Sequence, residues 1–250
     1  MTQTRIIGSP LAGKVAVVHS GAPAWAGPVI HALREAGAAV ALAATSPEAV
    51  PPDPDHEVAS LLEGPFNDTG AVEAATGLVI ERLGRFDILV SVPQSELFLP
   101  ASEASDEALA GLFERNVASV YRWCRAAGAH MTRQKSGRII TFISGLSRRG
   151  LVNGSAFAMT QAALDAMTQS LALEWAAAGV RVNGVGYGWV ETGRRPLEEQ
   201  QKERLARFLP LRRKGHPDDL TGLLVYLASD ASDFVTGQTV YVDGGAMAHA

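Results

Sequence analysis

The sequence predicts an α/β protein built on a parallel sheet, and the prediction rests on its first strand, the helix that follows and the return to a second strand. Lys14-Val15-Ala16-Val17-Val18 is a short apolar run rich in β-branched residues, as a strand buried on both faces requires. After a turn, Val29-Ile30-His31-Ala32-Leu33-Arg34-Glu35-Ala36-Gly37 has helical spacing and closes on glycine, and a second apolar run occupies 38–42. Strand, helix and strand in this order form a βαβ unit, because parallel strands need a crossover connection.

Composition narrows the function. The chain has 250 residues, 47% of them hydrophobic and 19% charged, which suits a single globular domain over 1–250. A net charge of −4 leaves no basic footprint for nucleic acid or an anionic membrane. The clusters Arg148-Arg149, Arg194-Arg195 and Arg212-Arg213-Lys214 are short and read as solvated faces. Cys124 is the single cysteine, so no intrachain disulfide forms and a reducing compartment is expected. No run reaches membrane-spanning length, and the N-terminus lacks a basic-then-apolar leader. The expectation is a soluble, cytoplasmic protein without a metal.

Further along, 47–55 is a proline-rich loop without helical periodicity, 72–83 is an amphipathic helix ended by Gly84, and Phe86-Asp87-Ile88-Leu89-Val90 is a buried strand. Residues 106–131 return to helical spacing, with Leu109, Leu112, Phe113, Val117, Val120 and Cys124 on the repeat. Arg138-Ile139-Ile140-Thr141-Phe142-Ile143-Ser144 is the next strand, and an Ala-rich helix opens at Ser155 and runs to about Ala178. Arg181-Val182-Asn183-Gly184-Val185 is a further strand, and 193–213 is highly charged with a helical pattern.

The C-terminal segments Gly215-His216-Pro217-Asp218-Asp219, Tyr226-Leu227-Ala228-Ser229-Asp230 and Phe234-Val235-Thr236-Gly237-Gln238-Thr239-Val240-Tyr241-Val242-Asp243-Gly244-Gly245, together with Asn116-Val117-Ala118-Ser119, resemble the short-chain dehydrogenase/reductase family over about 12–246. The resemblance implies a Rossmann-like, doubly wound parallel sheet of seven strands flanked by helices. It also implies a charged lid at about 193–213 and a tetramer built through helix pairs and the C-terminal strands.

The departures concentrate on cofactor and catalysis. The family's Thr-Gly-x-x-x-Gly-x-Gly turn, whose glycines let amides close on a pyrophosphate, appears as His19 to Ala26, with Ser20, Ala24 and Ala26 at the glycine positions. Each adds a Cβ where phosphate would lie, Pro23 and Pro28 remove amide donors, and Trp25 adds bulk. Ala44 stands where an acidic or basic residue would meet the ribose, and Pro65 where an aspartate would meet the adenine. Asn-Asn-Ala-Gly is replaced by Ser91-Val92-Pro93-Gln94. The catalytic Tyr-x-x-x-Lys holds Phe157 and Gln161, which supply neither an ionisable hydroxyl nor a charge to depress its pKa.

Ser144 keeps the family's catalytic serine position and Asn116 its asparagine, both read as vestigial and structural, with capping or solvent exposure the expected fate of Ser144. Thr192, at the position that would meet the nicotinamide amide, is kept. The reading is a non-catalytic subunit that binds no cofactor itself. It assembles with an active paralogue carrying NAD into a heterotetramer, with a homo-oligomer as the fallback. The substrate would be of hydroxyacyl or ketoacyl type. One resemblance of this kind is to the degenerate subunit of the hydroxybenzylsuccinyl-CoA dehydrogenase of anaerobic toluene breakdown. The alternative is a cofactor-independent cyclase, lyase or isomerase using His19 and Ser144 in the vacated pocket.

Overall fold

The structure, a computed structural model, describes residues 8–45, 59–64, 66–93, 95–193 and 195–248. The expectations at 47–55, Pro65, Gln94 and Arg194 lie outside the described residues. One sheet organises the rest: β1 (Val15–Ser20), β2 (Ala39–Ala44), β3 (Ser60–Glu63), β4 (Ile88–Val92), β5 (Gly137–Ser144), β6 (Val180–Tyr187) and β7 (Thr239–Val242). These seven strands lie in the order β3-β2-β1-β4-β5-β6-β7 and every pairing is parallel. The order reverses between β1 and β4, which makes the carboxyl ends of those strands the place where an open α/β sheet offers a crevice.

Alternation along the strands sorts the core into two layers. Val18, Val90, Phe142 and Val185 point toward α1 (Pro23–Glu35) and α8 (Pro217–Ala228), where they meet Ile30, Leu33 and Leu224. Val17, Leu89, Ile139 and Val182 point the other way, toward α2 (Thr69–Leu83), α4 (Ser119–Gln134) and α5 (Ser155–Trp175). The central strands β1, β4 and β5 are buried throughout, as expected of a parallel sheet covered on both faces.

Several boundaries move from their sequence positions for identifiable reasons. α2 begins at Thr69 because Asp68 caps it, its Oδ1 accepting from the Ala71 amide at 2.8 Å. β4 starts later than Phe86 and runs on through Ser91 and Val92. Asp87 instead ties the strand entrance, accepting from the Val15 amide at 2.9 Å, from Arg85 and from Gln134. The helix expected over 106–131 is present as one uninterrupted run, α3 (Asp106–Phe113), a π-helical turn Glu114–Ala118, and α4. α5 ends at Trp175, and the expected extension to Ala178 is a 3₁₀ turn closed by Gly179 at φ 80°. Within the charged segment 193–213 stand two short helices, α6 (Leu197–Gln200) and α7 (Arg204–Phe208). Arg195 pairs with Glu191 and Glu203, and Lys214 pairs with the same two acids at 3.5 and 2.6 Å. No helix among the described residues is long and apolar enough to cross a membrane.

Candidate active site

At the β1–α1 turn the chain satisfies its own amides. Ser20 Oγ accepts from the Ala22 amide at 3.0 Å and donates back to the Ala22 carbonyl at 3.2 Å. That carbonyl also accepts from the Trp25 and Ala26 amides at 3.1 and 3.0 Å, and Pro23 has no N–H to offer. The donors that a helix N-terminus would turn toward an anion are thus largely engaged within the loop. Pro28 stands deeper in α1, so it removes an internal helix donor rather than one facing a ligand, contrary to the sequence reading.

Of the steric obstacles expected from the sequence, the Ala26 methyl is not on the ligand side of the turn, whereas Trp25 supplies bulk as expected. Ala26 is fully buried in the core, so its methyl is used in packing, and Ala24 faces solvent. The bulk comes from Trp25. Its ring is 7% exposed and reaches across β4 to the ends of β5 and β6, lying 5.0 Å from Tyr187 and edge-on to Phe142 at 6.1 Å. Trp25 thus forms part of the wall at the carboxyl ends of β5 and β6. Ala44, at the end of β2, is buried in the same layer and presents no hydrogen-bonding side chain.

At the catalytic positions the side chains hold the fold together. Gln161 is fully buried; its Oε1 accepts from the Ser144 amide at 2.8 Å and its Nε2 donates to Thr160 Oγ1 at 3.3 Å. Thr160 Oγ1 also accepts from Asn116 Nδ2 at 3.1 Å and donates to the Phe157 carbonyl at 2.8 Å. Asn116, held in the π-helical turn, clamps Ser95 through both its backbone groups, at 3.2 Å to the amide and 2.7 Å to the carbonyl. Ser144 is buried and caps the following 3₁₀ turn, accepting from the Leu146 amide at 3.3 Å. Phe157 packs against Phe98 at 5.5 Å.

Beside these residues opens a cavity of about 560 Å³, walled by Trp25, Phe98, Phe157, Tyr187 and Trp189, with Ser144, Thr192 and Arg149 on its lining. It is within the size range of small-molecule sites. His19 does not line it. Strand alternation sends His19 to the opposite face of the sheet with Val15 and Val17. There it stacks on Trp123 at 5.6 Å, and its Nε2 lies 3.0 Å from Ser119 Oγ. Burial lowers its pKa to about 3, which makes it a neutral core residue at ordinary pH. Ser91 and Thr141 lie in register with it on β4 and β5, both buried with hydroxyls lacking a protein partner. The pairing of His19 with Ser144 that a cofactor-independent enzyme requires is therefore not made, and Ser91 faces away from the cavity.

Three features escaped the sequence reading. Thr160 is the hub joining Asn116, Phe157 and Gln161, and only its place on the helix, one turn from Phe157 and next to Gln161, could have suggested it. The Arg148-Arg149 pair divides: Arg148 pairs with Asp165 at 3.3 Å, whereas Arg149 turns into the cavity. The cluster at 212–214 is an ion-paired surface, with Arg213 on Asp219 at 2.7 Å. Cys124 is buried and its thiol is pushed up to about 12, which leaves it inert. Among the described residues no group of His, Cys, Asp or Glu side chains could hold a metal ion.

Comparison with known proteins agrees with this architecture. Residues 26–247 match the family profile described as enoyl-(acyl carrier protein) reductase. The chain is 32% identical over 246 residues to the 2-dehydro-3-deoxy-D-gluconate 5-dehydrogenase of Pseudoalteromonas atlantica, covering 95% of this chain and 97% of that protein. It is 36% identical over 182 residues to the (2S)-[(R)-hydroxy(phenyl)methyl]succinyl-CoA dehydrogenase subunit BbsC of Thauera aromatica, covering 73% of this chain and 72% of that subunit. Among solved structures, the gluconate 5-dehydrogenase of Burkholderia cenocepacia in complex with NADP and tartrate superposes with a TM-score of 0.83 at 26% identity, covering 96% and 97% of the two chains. With a parallel seven-stranded sheet, its switch-point crevice and matches spanning nearly the whole chain, the protein belongs to the short-chain dehydrogenase/reductase family of oxidoreductases.

Proposed function

We propose that this chain is a non-catalytic subunit that assembles with an active, NAD-carrying short-chain dehydrogenase paralogue into a heterotetramer and binds no dinucleotide itself. The observation that carries the reading is the first turn of α1, where Trp25 puts its bulk against Phe142 and Tyr187 on the cavity wall while the Ala22, Trp25 and Ala26 amides bond within their own turn. Phe157 and Gln161 support it from the other side of the cavity: the first has no proton to exchange, and the second uses its acceptor to hold the Ser144 amide. A subunit role is also in keeping with BbsC, a relative whose name makes it a subunit of a dehydrogenase acting on a succinyl-CoA thioester. That likeness supports a hydroxyacyl or ketoacyl substrate for the complex.

The surfaces that association would use are apolar and exposed. On α5 a stripe of Met159, Ala162, Ala166 and Leu173 faces outward, and Tyr121 of α4 is also exposed. At the other end, Tyr226 and Val240 are partly exposed and Phe234 is fully so. The test is affinity isolation of the tagged chain co-expressed with its neighbouring genes. A stoichiometric complex with a second short-chain dehydrogenase that retains Tyr and Lys is expected, with activity abolished by substituting the partner's tyrosine and retained in Phe157→Leu of this chain. Isolation of this chain alone, with nicotinamide-dependent turnover of its own, overturns the reading.

A further inference from the structure

We infer that the cavity at the ends of β5 and β6 is a binding site for a carboxylate-bearing molecule with an aromatic or acyl body, anchored by Arg149. The inference rests on the proposed absence of a nicotinamide from this chain, since a dinucleotide and its substrate would otherwise claim the same space. The body of the ligand is argued from the walls. Trp25, Phe98, Phe157, Tyr187 and Trp189 form the aromatic part of the wall of this cavity of about 560 Å³, and that part of the surface gains by covering apolar area.

The head group is argued from charge. Four of the ionised groups nearby neutralise one another: Glu191 and Glu203 pair with Arg195 and Lys214. Hydrogen bonds from Arg195 and Lys214 hold both carboxyls below the usual range. Arg148 is used by Asp165. Arg149 has no carboxylate partner among the described residues. Its guanidinium instead lies over Trp189 at 4.9 Å and Phe208 at 5.8 Å, with a single bond of 3.4 Å to the Ala246 carbonyl. A guanidinium has five N–H donors, so most of its donors remain while the two rings fix its plane. That is the arrangement in which arginine binds a carboxylate through two parallel bonds at small conformational cost. Glu96, on the loop after β4 near Phe98, is the other acid on the lining. It would turn a ligand's carboxylate away from its own wall and toward Arg149.

The test uses the purified full-length chain and calorimetric titration with 3-phenylpropionate and octanoate, each against its alcohol, 3-phenylpropan-1-ol and octan-1-ol. Saturable binding of at least one acid is expected, with the matching alcohol weaker by about tenfold or more, as loss of a charge-assisted bidentate contact implies. Arg149→Gln should remove that preference and Arg149→Lys should keep part of it. Equal affinity for acid and alcohol, an acid affinity unchanged in Arg149→Gln, or no saturable binding of either acid would overturn the inference. If Arg149→Gln does not fold, the acid-over-alcohol preference of the unaltered chain decides alone. A parallel titration with NADH separates the two claims: saturable NADH binding overturns the proposed function, whereas failure of the acids alone overturns only this assignment.

Discussion

Gln161 shows why a glutamine is not a weakened lysine at this position. Its Oε1 is the acceptor for the buried Ser144 amide at 2.8 Å, and lysine carries donors only. Gln161→Lys should therefore cost about 1–3 kcal/mol by leaving that N–H unsatisfied, read as a fall in the urea midpoint. The double variant Phe157→Tyr/Gln161→Lys should gain no reductase activity while Trp25 remains. His19 makes a second prediction at this scale. Unfolded, it takes a proton near 6.5, whereas the folded site holds its pKa down to about 3. Between those values the unfolded state binds the extra proton, so stability should fall as pH drops below 6.5, by up to about 1.4 kcal/mol per pH unit, and be indifferent to His19 above it. Urea midpoints measured against pH should show this slope in the unaltered chain and lose that component in His19→Gln; parallel curves would refute it.

Among the elements, α4 and α5 approach closely because Gly128 faces Trp175: a Cβ built there would come within 2.5 Å of the indole. Gly128→Ala should cost about 1–3 kcal/mol by overpacking, a drop in Tm that Trp175→Leu in the same chain should partly relieve. Most elements were legible because their apolar runs keep period 2 or 3.6, and β1 needed only Val15, Val17 and Val18 to be seen. Its alternation also held the answer for His19, which shares the face of Val15 and Val17 and so lies beneath the sheet, away from Ser144. The π-helical turn at Glu114–Ala118 was not legible, since one extra residue per turn leaves the apolar spacing of 106–131 almost unchanged. Nor was the reach of Trp25, because the rings that receive it, Phe142 and Tyr187, come from strands remote in sequence. The glycine replacements were visible residue by residue. The methyl of Ala26 turning into the core, and the rings that the indole meets, depend on the packed helix.

For the whole molecule, framework and chemistry have separate fates on one chain. The sheet, the two core layers and the C-terminal segment follow the family throughout. Several side chains at the cofactor and catalytic positions face inward: Ser144 caps a turn, Asn116 clamps Ser95, and Ala26, Ala44, Phe157 and Gln161 are buried. The proposed assembly would use exposed faces. Leu173, 85% exposed on α5, should change to Glu with less than about 0.5 kcal/mol effect on stability. Light scattering should nevertheless show a smaller assembly, and an unchanged mass would count against the α5 face. The central claim is that this chain carries no dinucleotide. It is tested most directly by titrating the purified chain with NADH and NADPH while following tryptophan fluorescence, to which Trp25 at the switch point contributes. The account predicts no saturable change with either nucleotide. Saturable binding at micromolar concentrations would contradict it.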